Sequence, residues 1–281
     1  MIVASIVLYN PDQTVIKNIK SYLDDVDLLF AIDNSETINH EIVNFISKNS
    51  KIHYINNNGN QGIAQALNVA AKKALEKGYQ WLLMMDQDSS FTSAGLNKYF
   101  HCIRNIPRSE QIAIFSPNRF ANPNAEMSCS FTEKLITITS GSLLNLTLYR
   151  HIGNFNESLF IDEVDHDYCL RAHLCHYKVI EFDTIFLCHQ IGNQETIKRH
   201  GQIQIVNIHS PLRHYYITRN CLYIFSKFHN NFPEFTRRRF LEVGKTLLFA
   251  LIYGPKRLKR LKYILKAFGH FLIGRKGKYG R

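Results

Sequence analysis

The first 130 residues alternate short apolar runs with helical patterns, and that alternation restricts the chain to a small set of folds. Strands that cross to parallel neighbours through helices build an α/β sheet. Ile2–Tyr9, Asp27–Ile32, Ile52–Ile55, Trp81–Met85 and Ile112–Ser116 read as the strands. Between the third and fourth, Gln61–Lys77 spaces Ile63, Leu67, Ala70, Ala71 and Ala74 for one buried helix face, with Asn60 placed as its N-cap. Open parallel sheets bind ligands at the carboxyl ends of their strands, so the residues just past these runs are the candidates for function. Further on, Ser128–Thr139 reads as a strand or hairpin, Ser140-Gly141-Ser142 as a turn, Asp162 to about His176 as a helix and Val179–Leu187 as one more strand. Helices dominate from Pro211. The expected division is an α/β domain over 1–208 and a helical region over 209–281.

Length and composition agree with that reading, since 281 residues at 45% hydrophobic content bury a substantial core. The six cysteines include no C-x-x-C pair, which argues against a zinc site or redox motif and for reduced thiols in the cytoplasm. Met1 runs into Ile2–Tyr9 with no basic leader and no small-residue cleavage site, so the segment reads as a buried strand and not a signal peptide. Charge is unevenly placed. From Arg237 onward there are 14 Lys and Arg against the single acid Glu242, whereas the other 236 residues hold 20 basic and 22 acidic side chains. Thr246–Tyr253 is apolar for only eight residues, far short of the roughly 20 that span a bilayer. Beyond it Leu258, Leu261, Leu265 and Phe268 form a helical stripe beside Lys and Arg, a composition that suits the interface of an anionic membrane. A helix packed on the core with solvated cations is the other reading of that stripe. No base-reading or stacking motif accompanies the charge, so nucleic acid is not the expected partner.

The strongest local signal is the D-x-D at Asp86-Gln87-Asp88, two carboxylates at the carboxyl end of an apolar strand. Alternation along extended chain sends both to the same side. Mg²⁺ or Mn²⁺ takes carboxylate oxygens together with phosphate oxygens and water; the competing reading is a turn or a helix cap. Asp33-Asn34-Ser35 closes the second strand, where a carboxylate accepts from nucleobase N–H groups or simply closes an Asx-turn. Asn57-Asn58-Gly59-Asn60-Gln61-Gly62 precedes a helix and so aims backbone N–H groups at the same edge, a place for phosphate or ribose. Neither a G-x-G-x-x-G nor a P-loop is present.

In order along the chain, Val7-Leu8-Tyr9-Asn10-Pro11, Ile32-Asp33-Asn34-Ser35, Asn58-Gly59-Asn60-Gln61-Gly62-Ile63-Ala64, Met85-Asp86-Gln87-Asp88-Ser89, Thr139-Ser140-Gly141-Ser142 and Phe160 to Ala172 form a series. The series resembles the family 2 glycosyltransferases of the GT-A fold, and within them bacterial rhamnosyltransferase-like members, over roughly residues 2–225. The resemblance implies a GT-A, Rossmann-like nucleotide-diphospho-sugar transferase fold with a C-terminal helical extension. It implies a donor site of Tyr9, Asn10, Asp33, Asn60, Gly62, Asp86, Gln87 and Arg219, and a metal held by Asp88, Asp86 and His189. Asp165 matches the family's catalytic base, and an inverting transfer needs such a carboxylate to take the acceptor hydroxyl's proton. Asp162, Glu163 and Asp167 compete for that role, and Asp162 also reads as the helix N-cap. Arg213, His214, Arg219 and Asn220 share a further matching stretch, where a basic side chain grips the diphosphate or lies on a solvated helix face.

The function expected is therefore an inverting, Mg²⁺- or Mn²⁺-dependent transferase that moves L-rhamnose from dTDP-rhamnose to a saccharide, lipid-linked, in bacterial surface polysaccharide synthesis. Its expected place is the cytoplasm, peripheral on the inner face of the cell membrane. A sugar-nucleotide nucleotidyltransferase would share the α/β body and the acids, but it carries a Gly-rich basic N-terminal loop that Ile6–Pro11 lacks. A non-catalytic basic membrane or nucleic-acid adaptor is the third reading.

Overall fold

The computed structural model describes residues 1–122, 126–189, 194–199 and 202–280, with backbone alone for 189, 194–199 and 202–207. The chain packs as two compact units, one of 1–157 with 165–190, the other of 158–164 with 191–281.

The first unit is built on β1 (Ile2–Leu8), α1 (Thr14–Lys20), β2 (Leu28–Asp33), α2 (His40–Ser47), β3 (Ile52–Asn56), α3 (Ile63–Glu76), β4 (Trp81–Asp86), β5 (Ser89–Ser90) and α4 (Ser93–Asn105). It continues through β6 (Ile112–Asn118), β7 (Phe131–Glu133), β8 (Ser142–Asn145), α5 (Leu146–Ile152), α6 (Val164–Leu174), β9 (Lys178–Phe186) and β10 (Cys188–His189). Eight of these strands form one sheet in the order β3-β2-β1-β4-β8-β6-β9-β7, and β5 pairs with β10 in a small second ladder. β3, β2, β1 and β4 run parallel, while β8 is antiparallel to both β4 and β6. β1, β2 and β4 are buried on both faces, which is why they read as continuous apolar runs, while β3 at the sheet edge is largely uncovered. Val15 and Ile19 of α1, Ile42 and Ile46 of α2 and Leu96, Tyr99 and Phe100 of α4 close over the sheet in a single apolar cluster with Ile6, Leu29 and Phe115.

Several expectations are corrected. The helix after the third strand starts at Ile63, not Gln61, because Gly62 sits at φ 92°, outside helical space. Asn60 is not its cap; its Oδ1 accepts from the Gly62 N–H at 3.0 Å and closes an Asx-turn. Ser142, read as part of a turn, begins β8, whose four residues are all buried between β4 and β6. Of the Ser128–Thr139 run only Phe131–Glu133 pairs, against β9. Cys102 of α4 and Cys129 are joined by a disulfide, against the expectation of reduced thiols; Cys169, Cys175, Cys188 and Cys221 are free.

The second unit comprises residues 158–164, a hairpin of β11 (Gln194–Arg199) and β12 (Gln202–Asn207), and three helices, α7 (Pro211–Phe228), α8 (Pro233–Tyr253) and α9 (Arg257–Leu272). Pro211 stands at the first turn of α7, where its missing N–H costs nothing, and Ser210 caps it by accepting from the Arg213 N–H. Ile217 and Cys221 of α7, Val243 and Leu247 of α8 and Ile264 of α9 share one apolar cluster. No helix among the described residues is long and apolar enough to cross a membrane.

Candidate active site

Strand register sets the site. Asp33 ends β2 opposite Leu8 of β1 and Asn56 of β3, and Asp86 ends β4 opposite Val7 of β1. The two acids therefore stand at neighbouring levels of one sheet edge, two strand spacings apart, or about 10 Å. That is the reach from a nucleobase to its diphosphate.

Asp33 is buried and held at both oxygens: Oδ1 accepts from the Ser35 N–H and Oδ2 from the Tyr54 hydroxyl, each at 2.8 Å. Burial first, then the neighbouring Asp33 carboxylate, pushes the Tyr54 hydroxyl far above its ordinary value, so Tyr54 remains a donor. The Asx-turn reading of Asp33 is thus true of one oxygen, and each oxygen keeps a second lone pair for an incoming N–H. Next to it, Asn34 ties the edge together. Its Nδ2 donates to the Gly62 carbonyl at 3.1 Å and its Oδ1 accepts from Asn57 Nδ2 at 2.6 Å. The Asn57–Gly62 loop is thereby fastened to β2, and α3 opens behind it with no side-chain cap and no acid in its first turn. Its first N–H groups are left for an anion.

At the end of β1, Tyr9 is 46% exposed and Asn10 takes a left-handed conformation (φ 46°), its N–H donating to Ser35 Oγ at 2.8 Å. Gln87 does not face a donor as expected. Its Oε1 accepts from the Tyr9 N–H at 2.8 Å, its Nε2 donates to the Tyr9 carbonyl at 3.2 Å, and its own carbonyl accepts from Asn18 at 2.9 Å. The middle residue of the D-x-D is a clamp on β1, and Asp86 and Asp88 on either side of it are half-buried.

Asp88 leads into β5, where Ser89 pairs with His189 of β10. The backbone of His189 is thus laid beside the residue after Asp88, while its side chain, the expected metal ligand, lies outside the described residues. Among the described residues no three His, Cys, Asp or Glu side chains gather around a common point. Two carboxylates, Asp86 at the end of β4 and Asp88 in the turn to β5, would nevertheless suit a hard cation that also takes phosphate oxygens and water. The Thr139–Ser142 motif props this corner. Ser140 Oγ donates to Ser89 Oγ at 2.7 Å and the Gly141 N–H to the Met84 carbonyl at 2.8 Å. Gly141 sits at φ 72°, and a Cβ there would lie 2.8 Å from Pro117 and 2.9 Å from Leu187.

Asp165 stands in the first turn of α6, half-buried, with Oδ1 accepting from the His166 N–H at 2.9 Å. One turn on, the Cys169 thiol, pushed up to about 12 chiefly by burial, donates to the Thr137 carbonyl at 3.9 Å, so α6 is moored to the segment just ahead of the Thr139–Ser142 motif. The competing acids are committed elsewhere. Asp167 is fully buried and paired with Arg171 Nε at 2.7 Å. In the second unit, Asp162 pairs with Arg213 at 3.0 Å and Glu163 with Arg239 at 2.6 Å. Asp162 does not cap the helix; it lies at φ 61° with its carboxylate on Arg213. Among the described residues, Asp165 is the one of these four acids that no arginine holds.

Arg219 also departs from expectation. It is 4% exposed, and all five of its N–H groups are engaged: Nε with Asn220 Oδ1, Nη1 with the Gly277 carbonyl and Tyr215 hydroxyl, Nη2 with the Ser158 and Leu159 carbonyls. It has no donor left for a diphosphate. The supporting residues that sequence reading passed over are Tyr54 and Asn18. Period-2 alternation on β3 hinted at Tyr54 alone, by putting it on the face of a strand next to Asp33.

Residues 5–113 match the model of glycosyl transferase family 2. Across its length the chain is similar to the dTDP-rhamnosyl transferase RfbF of Shigella flexneri, 28% identical over 295 residues covering 99% of this chain and 97% of that protein. Among solved structures it resembles S. aureus TarS 1-349 in complex with UDP-GlcNAc (TM-score 0.58, 13% identity, 98% of this chain and 81% of that one). It also resembles GalNAc-T7 with UDP, GalNAc and Mn²⁺ (TM-score 0.57, 12% identity, 67% and 43%). At such identities the two structures speak for the fold alone.

Proposed function

We infer that this chain, whose residues 5–113 match glycosyl transferase family 2 and whose full length is similar to a dTDP-rhamnosyl transferase, transfers L-rhamnose from dTDP-rhamnose with inversion to a saccharide acceptor. The observation that carries this reading is the shared edge of Asp33 and Asp86, spaced for a nucleoside diphosphate. Asp33 receives the base N–H, with Tyr9 offering an exposed ring beside it. Asn60, Gly62 and the open end of α3 receive ribose or phosphate oxygens. Asp88, with Asp86 and His189, would hold Mg²⁺ or Mn²⁺, and the ion would supply charge neutralisation for the departing diphosphate.

Asp165 is the base. As the acceptor oxygen forms its bond to the anomeric carbon, the hydroxyl proton passes to Asp165, and the bond from that carbon to the diphosphate oxygen breaks on the opposite face. One displacement inverts the centre. The name of the Shigella relative supports the donor, and a lipid-linked acceptor in surface polysaccharide synthesis agrees with the basic end of the chain. There Leu258, Leu261, Leu265 and Phe268 are all exposed on α9, while Arg260, Ile264 and Ala267 face inward. An apolar stripe beside Lys259, Lys262 and Lys266 suits the cytoplasmic face of an anionic membrane.

A donor panel tests the reading. With Mn²⁺ present, purified protein is titrated with dTDP-rhamnose, UDP-sugars and GDP-sugars, and released nucleoside diphosphate is scored. Preference for dTDP-rhamnose, lost in Asp33→Ala and Asp88→Ala, is expected. Binding of no donor at all would sink the reading, and preference for another donor would remove rhamnose from it.

A further inference from the structure

Just ahead of α6 the backbone takes a path that side chains resist. Phe160, Asp162 and Glu163 have φ of 67°, 61° and 64°, so three residues with a Cβ lie left-handed within four positions. Each such residue crowds its Cβ against the following carbonyl, and a run of them persists only where the surroundings hold it. No glycine relieves the segment.

The surroundings that hold it centre on Asn220 of α7, which is wholly buried. Its Nδ2 donates to the carbonyls of Leu159 at 2.8 Å, Ile161 at 2.7 Å and Asp162 at 3.0 Å. Its Oδ1 accepts from Arg219 Nε at 3.0 Å, which fixes which end of the amide faces the loop. Arg219 reaches on to the Ser158 and Leu159 carbonyls, Arg213 and Arg239 take the carboxylates of Asp162 and Glu163, and Phe160 stacks on Tyr216 at 5.0 Å. All of these contacts lie within the second unit. Arg219 and Asn220, adjacent in sequence, thus work as one device aimed at backbone carbonyls. The loop they grip ends at Val164, one peptide bond before Asp165.

We propose that Asn220 is a positioning residue for the transfer reaction: it enforces the path of 160–163, with its left-handed residues, and so the conformation in which the chain enters α6 and presents Asp165. The inference rests on Asp165 being the base. Asn220 touches neither donor nor acceptor, so its effect falls on the chemical step and spares donor affinity.

The test uses the full chain carrying Asn220→Ser, with dTDP-rhamnose and Mn²⁺ as the binding probe. We expect kcat to fall at least 30-fold and the dTDP-rhamnose dissociation constant to stay within threefold. A kcat within threefold of the parent, or a parallel loss of kcat and donor affinity, overturns the proposal. Should Asn220→Ser fail to fold, Arg219→Lys is measured in the same way, since it leaves Asn220 in place and frees its amide to turn. A fivefold loss of kcat at constant donor affinity is then expected, and an unchanged kcat overturns the idea. Asp165→Asn runs alongside: if that variant keeps full transfer, the assignment of the base has failed, whereas if it is dead and Asn220→Ser is active, only the positioning role has.

Discussion

Asp165 and Asp167 stand two residues apart on one helix, and substituting each should give opposite phenotypes. Asp167 is fully buried, and its partner Arg171 also donates to the carbonyls of Ile152 at 2.7 Å and Asn154 at 2.8 Å. Asp167→Ala leaves that guanidinium, itself only 18% exposed, without its counter-charge. Removing one partner of a buried pair costs about 3–5 kcal/mol. For a cooperative unit of this size each kcal/mol moves the melting temperature by about 2–4 °C, so a fall of roughly 6–20 °C is expected. Asp165→Asn is a milder structural change. Asparagine keeps the Oδ1 that accepts from the His166 N–H, and the site is half-buried, so stability should stay within about 0.5 kcal/mol. Its proton acceptor is gone, however, and transfer should drop by about 10²–10⁴ with dTDP-rhamnose binding intact. Scanning calorimetry, donor titration and nucleoside-diphosphate release read the three quantities. A thermally normal Asp167→Ala that has lost transfer, or a destabilised Asp165→Asn that retains it, would refute the assignment of roles.

Three other outcomes follow from the same contacts. The Cys102–Cys129 bond closes a separation of 27 residues, and chain-entropy reasoning gives such a link about 3.5 kcal/mol; air-purified protein should show four titratable thiols when unfolded without reductant and six with it, and reductant should lower the melting temperature. Burial first, then Arg260, His209 and Arg213, push His214 from 6.5 down to about 4. The unfolded chain therefore takes up a proton that the folded chain refuses, so stability is full above pH 6.5 and declines toward pH 4 by about 3 kcal/mol, a slope that should flatten in His214→Gln under urea titration. Finally, Leu258 and Leu265 are 85% and 61% exposed on α9; Leu258→Asp with Leu265→Asp should abolish sedimentation with phosphatidylglycerol vesicles at low salt, and equal binding by the parent to neutral phosphatidylcholine vesicles would contradict the anionic-surface reading.

The parts of the fold that can be read from sequence are those where burial and period coincide. β1, β2, β4 and β6 are apolar on both faces, so their positions are visible within a residue or two. β8 is invisible because four residues beginning with Ser142 after a glycine carry no period of their own; they are a strand only because β4 and β6 supply hydrogen bonds on both sides. Asn60 resembles a helix cap since Asn shortly ahead of an apolar period usually is one, but Gly62 takes up the left-handed turn between them. Arg219 illustrates the opposite limit. A basic residue on a helix reads as an anion ligand or a solvated side chain, and nothing near it in sequence announces carbonyls at Ser158 and Leu159, 61 and 60 positions away.

The acids of 162–167 show where the boundary between legible and illegible lies. Asp167 and Arg171 are four residues apart on one helix, a spacing that allows them to pair, and the 2.7 Å contact between them removes Asp167 from the contest for the base. No such spacing removes Asp162 and Glu163, because Arg213 and Arg239 come from 51 and 76 positions downstream, on helices whose docking no local pattern encodes. A carboxylate locked onto a guanidinium has its lone pairs and its orientation fixed, and cannot also turn toward an acceptor hydroxyl. Four acids in six residues thus resolve into three that hold the chain and one, Asp165, that no arginine among the described residues holds, and it is the distant arginines, more than any property of Asp165 itself, that support proposing it as the base.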